Sequence, residues 1–125
     1  MAKRRSIEER LTLYEQKYRE LAAKLAKTGY LWKGTVVRQM LTCGKETCAC
    51  REDDSRRHGP YPYWTTKVGG RTVSRLLRAA EADLYEEWIR NRRTLEKIER
   101  QMLALSKKVA PLMLRKREQQ SESED

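Results

Sequence analysis

Apolar residues recur along the first quarter of the chain at helical spacing. Ile7, Leu11, Tyr14, Tyr18, Leu21 and Leu25 follow one another at steps of four and three, the narrow stripe of a coiled-coil seam. Ser6 and Glu9 make a capping-box pair before it and Gly29 stands where a helix stops, so the pattern predicts a helix over 6–28. A second stripe runs from Leu84 and Trp88 through Leu95, Ile98, Met102, Leu105 and Val109 to Leu112, with Asn91 as its single polar member. It predicts a long helix over 81–114. Asp83, Glu86 and Glu87 suit the positive end of that helix, and Pro111 is expected to kink or stop it. A lone Asn in such a seam fixes register at a cost in stability, or sits at the seam's edge.

The two helices are expected to pack as an antiparallel hairpin. If Leu25 lies level with Leu84, the second helix overhangs and Leu105, Val109 and Leu112 lack partners. That predicts a homo-oligomer or a larger complex built on the long helix, unless Pro111 folds the tail back over them. Residues 118–125 (EQQSESED) are acidic and polar and read as a disordered tail, leaving 1–117 as a single domain.

Between the helices the period changes. Residues 30–41 are rich in aromatic and β-branched side chains, and 61–68 and 71–77 flank Gly69-Gly70, a two-residue hairpin signal. That turn sets Thr66 opposite Val73, Trp64 opposite Arg75 and Tyr63 opposite Leu76. The expected fold is α+β: a coiled-coil-like antiparallel helical hairpin flanking a small three-stranded antiparallel β-meander over 30–78.

Composition narrows the partner. The chain has 125 residues, 38% hydrophobic and 37% charged, with no Phe and a formal charge of +10, so a polyanion, nucleic acid first, is the default partner class. Residues 2–5 (Ala-Lys-Arg-Arg) lead into Ser6-Ile-Glu-Glu-Arg with no apolar stretch. Neither a signal peptide nor a membrane span is expected, and the protein is read as soluble and cytoplasmic.

Cysteine usage carries the chemistry. All three cysteines, Cys43, Cys48 and Cys50, fall within eight residues, and the only histidine, His58, follows eight residues after Cys50. A disulfide scaffold spreads its cysteines to staple distant segments, whereas three thiolates and an imidazole are the ligand set of a closed tetrahedral zinc site. The loop from Thr42 to Pro60 is almost wholly polar, so a metal would provide order that apolar burial does not. Zinc is preferred to iron by ligand type alone. Three reduced cysteines in a small core are an alternative, but buried cysteines sit among apolar neighbours. A cysteine nucleophile with His58 as its base is another, with Lys45, Arg51, Arg56 and Arg57 depressing the thiol pKa. No residues fill the roles of nucleophile, base and stabiliser together, and Asp53-Asp54 is an adjacent pair in a polar loop, so the chain is expected not to be an enzyme.

The string CGKETCAC…RRHGPYPYWTTKVGGRTVSR, roughly Leu31 to Leu77, resembles a family of small prokaryotic and viral proteins of unknown function. Its members show a CGK-x-x-C-x-C…HGPY-x-Y core, a K-x-GGKT-like hairpin and a long C-terminal helix. Here Arg71 follows the Gly pair in place of Lys, and Glu52-Asp53-Asp54 lengthens the cysteine-to-histidine gap. The resemblance implies that Cys43, Cys48, Cys50, His58, Gly59, Pro60 and Tyr61 form the signature site. It also implies an association with mobile elements, and it brings no activity.

Charge by segment places the partner. Residues 1–29 carry net +4, residues 30–80 net +6, and residues 81–125 net zero. In the β centre Lys33, Arg38, Lys45, Arg51, Arg56, Arg57, Lys67, Arg71, Arg75 and Arg78 alternate with Tyr30, Trp32, Tyr61, Tyr63 and Trp64. Basic groups neutralise phosphates and aromatics stack on unpaired bases, although Trp32 and Trp64 are expected in the core and Arg75 over Trp64 is equally an internal cation–π pair. The sequence predicts a zinc-stabilised DNA- or RNA-binding protein with weak sequence readout. The alternative is a protein–protein adaptor with a helical stem and a zinc head.

Overall fold

The computed structural model describes residues 5–124. Its elements are α1 (Ile7–Ala26), β1 (Thr35–Leu41), β2 (His58–Val68), β3 (Arg71–Leu76) and α2 (Ala79–Glu124), with two three-residue 3-10 turns, Ala49–Arg51 and Asp54–Arg56, between β1 and β2. This is the expected α+β fold of two helices and a three-stranded antiparallel sheet, in the order β1-β2-β3. Contacts divide it into two units, one of Gly29–Arg92 and one of the helical segments up to Thr28 and from Arg93 onward.

Within Gly29–Arg92 the hairpin chemistry works as the sequence predicts. Gly69 and Gly70 both take positive φ, 57° and 81°, and the strands they join pair Thr66 with Val73, Trp64 with Arg75 and Tyr63 with Leu76. The expected first strand, 30–41, is shortened at its start. Gly34 turns the chain at φ 83°, packed against the Thr65 carbonyl and the Trp64 indole, and that indole donates to the Lys33 carbonyl oxygen at 2.9 Å. Trp32 is thereby drawn out of the ladder into an aromatic cluster, 5.8 Å from Trp64, 5.1 Å from Tyr85 and 6.1 Å from Trp88 between ring centroids. Leu77, Ala82 and Ile89 are the buried aliphatic side chains of this unit among the described residues.

The start of α2 belongs to this packing. Glu81 accepts the Arg78 backbone N–H at 3.2 Å, the reach-back of a capping box. Its carboxyl is held below the usual range by that N–H first, then by the Arg78 and Arg75 guanidinium groups. Ala82, Tyr85 and Ile89 face inward while Leu84 is 41% exposed. The seam read through Leu84 and Trp88 is therefore rotated here, because this stretch packs on the sheet and not on a partner helix. Asn91 has a different role from a seam Asn: its Nδ2 donates to the Tyr30 carbonyl oxygen at 2.9 Å, tying down the chain as it leaves Gly29.

In the helical unit, Ser6 Oγ accepts the Glu9 N–H at 3.2 Å, so α1 starts at its predicted cap. Leu25 shares a groove with Leu95 and Met102, Leu21 shares one with Leu105, and Leu11 shares one with Val109 and Met113. Numbers fall on one helix as they rise on the other, so the pair is antiparallel. Its register corrects the expectation that Leu25 is level with Leu84: Leu105 and Val109 have partners within the chain, and Leu112 is buried. Pro111 neither stops α2 nor ends its hydrogen bonding; the helix contains it and continues. It carries on through 118–124, the stretch whose composition predicts disorder, where Glu, Gln and Ser follow one another without a Gly or a second Pro to break it.

Candidate metal centre

The four chemistry-bearing residues come together through strand pairing and one tight loop. Leu41, the last residue of β1, pairs with His58, the first of β2, so Cys43 leaves the ladder beside the histidine. A register shift between Gln39 and Leu41 marks this end of the sheet. Gly59 takes φ 127°, and a Cβ there would stand 2.7 Å from the Gln39 carbonyl oxygen, so only glycine lets the two backbones approach behind His58. On the other side the Cys48 N–H donates to the Lys45 carbonyl at 3.2 Å, and Cys48 in turn accepts the Arg51 N–H at 3.2 Å. These turns present Cys48 and Cys50 toward Cys43 and His58.

Their ligand atoms all lie within 4.8 Å of one another. Cys43 Sγ is 3.6 Å from Cys50 Sγ, and Cys48 Sγ is 3.4 Å from His58 Nε2. Cys50 is buried, Cys43 and Cys48 are half-buried and His58 is exposed. The Cys43 backbone N–H donates to Cys50 Sγ at 3.3 Å, the kind of second contact that orients a thiolate ligand.

The thiols are not equivalent. Cys48 is lowered to about 6, first by the Cys50 backbone N–H, then by His58 and the other two thiols. At Cys50 the Cys43 N–H acts downward, but burial and the neighbouring sulfurs outweigh it and push this thiol up. A lowered Cys48 thiol and a raised, buried Cys50 thiol, with Cys43 and His58 in reach, are chemically suited to a cation that takes them together.

The basic residues divide by what they touch. Arg38 is bound to Glu86 at 3.1 Å and Asp83 at 3.5 Å, and Arg75 to Glu81 at 3.3 Å. Arg75 also lies 6.0 Å over both the Trp64 and Tyr85 rings. Arg38 and Arg75 thus brace the sheet against α2. Arg51 braces the cysteine loop, donating to the Lys45 carbonyl at 3.1 Å and the Cys43 carbonyl at 3.5 Å. Arg56 and Arg57 make exposed pairs with Asp53 and Asp54 at 3.7 and 2.9 Å. Asp53 caps the second 3-10 turn through the Ser55 hydroxyl and N–H, and these hold its carboxyl low. Lys33, Lys45, Lys67 and Arg71 are exposed and have no ion-pair partner among the described residues. Sequence reasoning missed Arg92, whose Nη2 donates to the Gly34 carbonyl at 3.2 Å; the helical period through Ala82, Tyr85 and Ile89 carries the only signal for it.

Among the described residues no helix is long and apolar enough to cross a membrane. A family model described as Domain of unknown function (DUF6788) matches residues 7–91, more than half of the chain, including all four candidate ligands. No curated protein and no solved structure matches the chain significantly.

Proposed function

We propose a function for a chain that belongs to the family described as Domain of unknown function (DUF6788): it is a zinc-stabilised, non-enzymatic nucleic-acid-binding protein. The observation that carries the metal is the Cys43, Cys48, Cys50 and His58 cluster with ligand atoms within 4.8 Å. Zinc ligands about 2.3 Å from a tetrahedral centre are roughly 3.8 Å apart, close to the Cys43–Cys50 and Cys48–His58 separations of 3.6 and 3.4 Å. When bound, the zinc supplies folding energy to a loop in which Cys50 is the only buried side chain among the described residues. Four protein ligands leave no open position for a reacting water, which favours a structural role. A reducing, cytoplasmic setting belongs to this reading, since the thiols must stay reduced.

Nucleic acid is favoured by the net charge of +6 over residues 30–80 and by the exposed Lys33, Lys45, Lys67 and Arg71. Arg56 and Arg57 add to them, because exposed i,i+3 ion pairs are weak enough to yield to a phosphate. Arg38, Arg51 and Arg75 act instead by holding the fold. Service as an accessory to a mobile element or another nucleoprotein complex fits such a basic head. A protein–protein adaptor is the second reading, favoured by Leu103 and Leu114 on α2, which are 61% and 57% exposed and, eleven residues apart, share a helix face. Self-association through α2 would use the same face.

Elemental mass spectrometry on the purified protein and on a Cys48→Ser, Cys50→Ser variant tests the metal. Near one zinc per chain, lost in the variant, is expected; a native fold without metal sinks the zinc reading. Oligonucleotide affinity against salt tests the partner: a steep negative slope is expected for phosphate contacts, and no binding leaves the adaptor.

A further inference from the structure

We propose that the face of the sheet turned away from α2 is a stacking platform for single-stranded nucleic acid, with Tyr61 and Tyr63 as its base-contacting rings. This rests on the nucleic-acid reading and specifies the form of strand it takes. Side chains alternate along a strand. Trp64 faces Tyr85 of α2, with ring centroids 5.8 Å apart, so Tyr61 and Tyr63 stand on the opposite face. Strand register carries that face across the sheet: Val37 lies opposite Tyr63 and Gln39 opposite Tyr61 on one side, and Leu76 lies opposite Tyr63 on the other. Val37 is 37% exposed, Tyr61 39% and Leu76 55%. Neither tyrosine side chain makes a ring contact or hydrogen bond among the described residues.

Charge and spacing select the occupant. The α2 side of the sheet is where the carboxylates are, with Glu81, Asp83 and Glu86 neutralising Arg75 and Arg38. The outer face carries no carboxylate at its paired positions; Thr35, Thr65 and Ser74 surround the aromatic row and Lys67 ends it. An apolar protein partner would find its contact interrupted by hydroxyls and a cation, whereas a phosphodiester chain is matched by both. Side chains two apart on a strand are about 7 Å apart, twice the roughly 3.4 Å rise of a stacked strand. Each ring therefore has room for one base of an unstacked strand. In a duplex the base faces are already covered, and the rings gain nothing from it.

The test uses the full, metal-loaded chain and fluorescence anisotropy at fixed salt, with labelled oligothymidine, oligouridine and an oligothymidine–oligoadenosine duplex. Metal content and far-UV circular dichroism are checked for every variant. Single strands are expected to bind more tightly than the duplex. Tyr61→Leu and Tyr63→Leu should each lose roughly tenfold in single-strand affinity, as for loss of one stacked base, with the salt slope unchanged. Lys67→Gln should lower that slope by roughly one. If Tyr63→Leu fails to fold, Tyr61→Leu decides. Equal binding of duplex and single strand with wild-type affinity in the tyrosine variants overturns the platform and leaves the nucleic-acid reading standing. Binding to none of the probes overturns both.

Discussion

Behind His58 there is no space for a side chain. A Cβ on Gly59 would meet the Gln39 carbonyl oxygen at 2.7 Å and the Tyr61 nitrogen at 2.9 Å, at a φ of 127°. Gly59→Ala should therefore cost about 2 kcal/mol and displace a ligand, read out by chemical denaturation and by zinc competition against a chelator dye; unchanged affinity would contradict the placement of His58. The thiols make a second residue-scale prediction. In metal-free protein whose loop keeps its turns, Cys48, lowered to about 6, should be alkylated by iodoacetamide before Cys50, with a rate midpoint near pH 6; in a loop opened by chelation that preference is lost, and peptide mapping by mass spectrometry distinguishes the two. The unfolded thiol, near 9.0, binds more protons between those values, so the Cys48 thiolate's contribution to metal-free stability is full above pH 9 and is lost as pH falls through 6. The clustering of the candidate ligands was legible because three cysteines and the only histidine stand in a polar loop with no apolar reason to be there. The ion pairs of Arg38 and Arg75 were not legible, because Asp83 and Glu86 lie some 45 residues beyond Arg38, and Glu81, six residues beyond Arg75, meets it only once α2 packs on the sheet.

Elements were read most surely where a local signal has one meaning. Gly69-Gly70 gave the β2–β3 register, and Ser6 gave the start of α1. The α2 stripe was ambiguous, because a seven-residue alternation and a 3.6-residue period agree over a few turns and then drift apart. The first turns of α2 follow the sheet and the later ones follow α1, a division no single periodicity encodes. Two variants examine this helix. Asn91→Ala removes the 2.9 Å bond to the Tyr30 carbonyl and should cost about 1 kcal/mol in urea unfolding. Pro111→Ala restores a donor and relieves the ring's clash with the preceding turn, so it should raise the thermal midpoint by several degrees; a fall would mean that the proline is needed where it stands.

For the whole molecule, the zinc reading makes the cysteine loop the part whose order depends on a ligand. Chelating the metal should open it to trypsin after Arg51, Arg56 and Arg57 while cleavage within α1 stays slow, followed by intact-mass spectrometry; equal digestion with and without chelator would show that the loop is held by protein contacts alone. The two contact units also give the chain a built-in pair of optical probes. All three tryptophans, Trp32, Trp64 and Trp88, lie in the Gly29–Arg92 unit, so indole emission reports on the sheet and is blind to the packing of Leu25 on Leu95. Far-UV ellipticity is dominated by the 20 residues of α1 and the 46 of α2. Transitions that coincide in the two signals would show one cooperative unit. An emission change that precedes the loss of ellipticity would show the Gly29–Arg92 unit melting while the helical unit still stands.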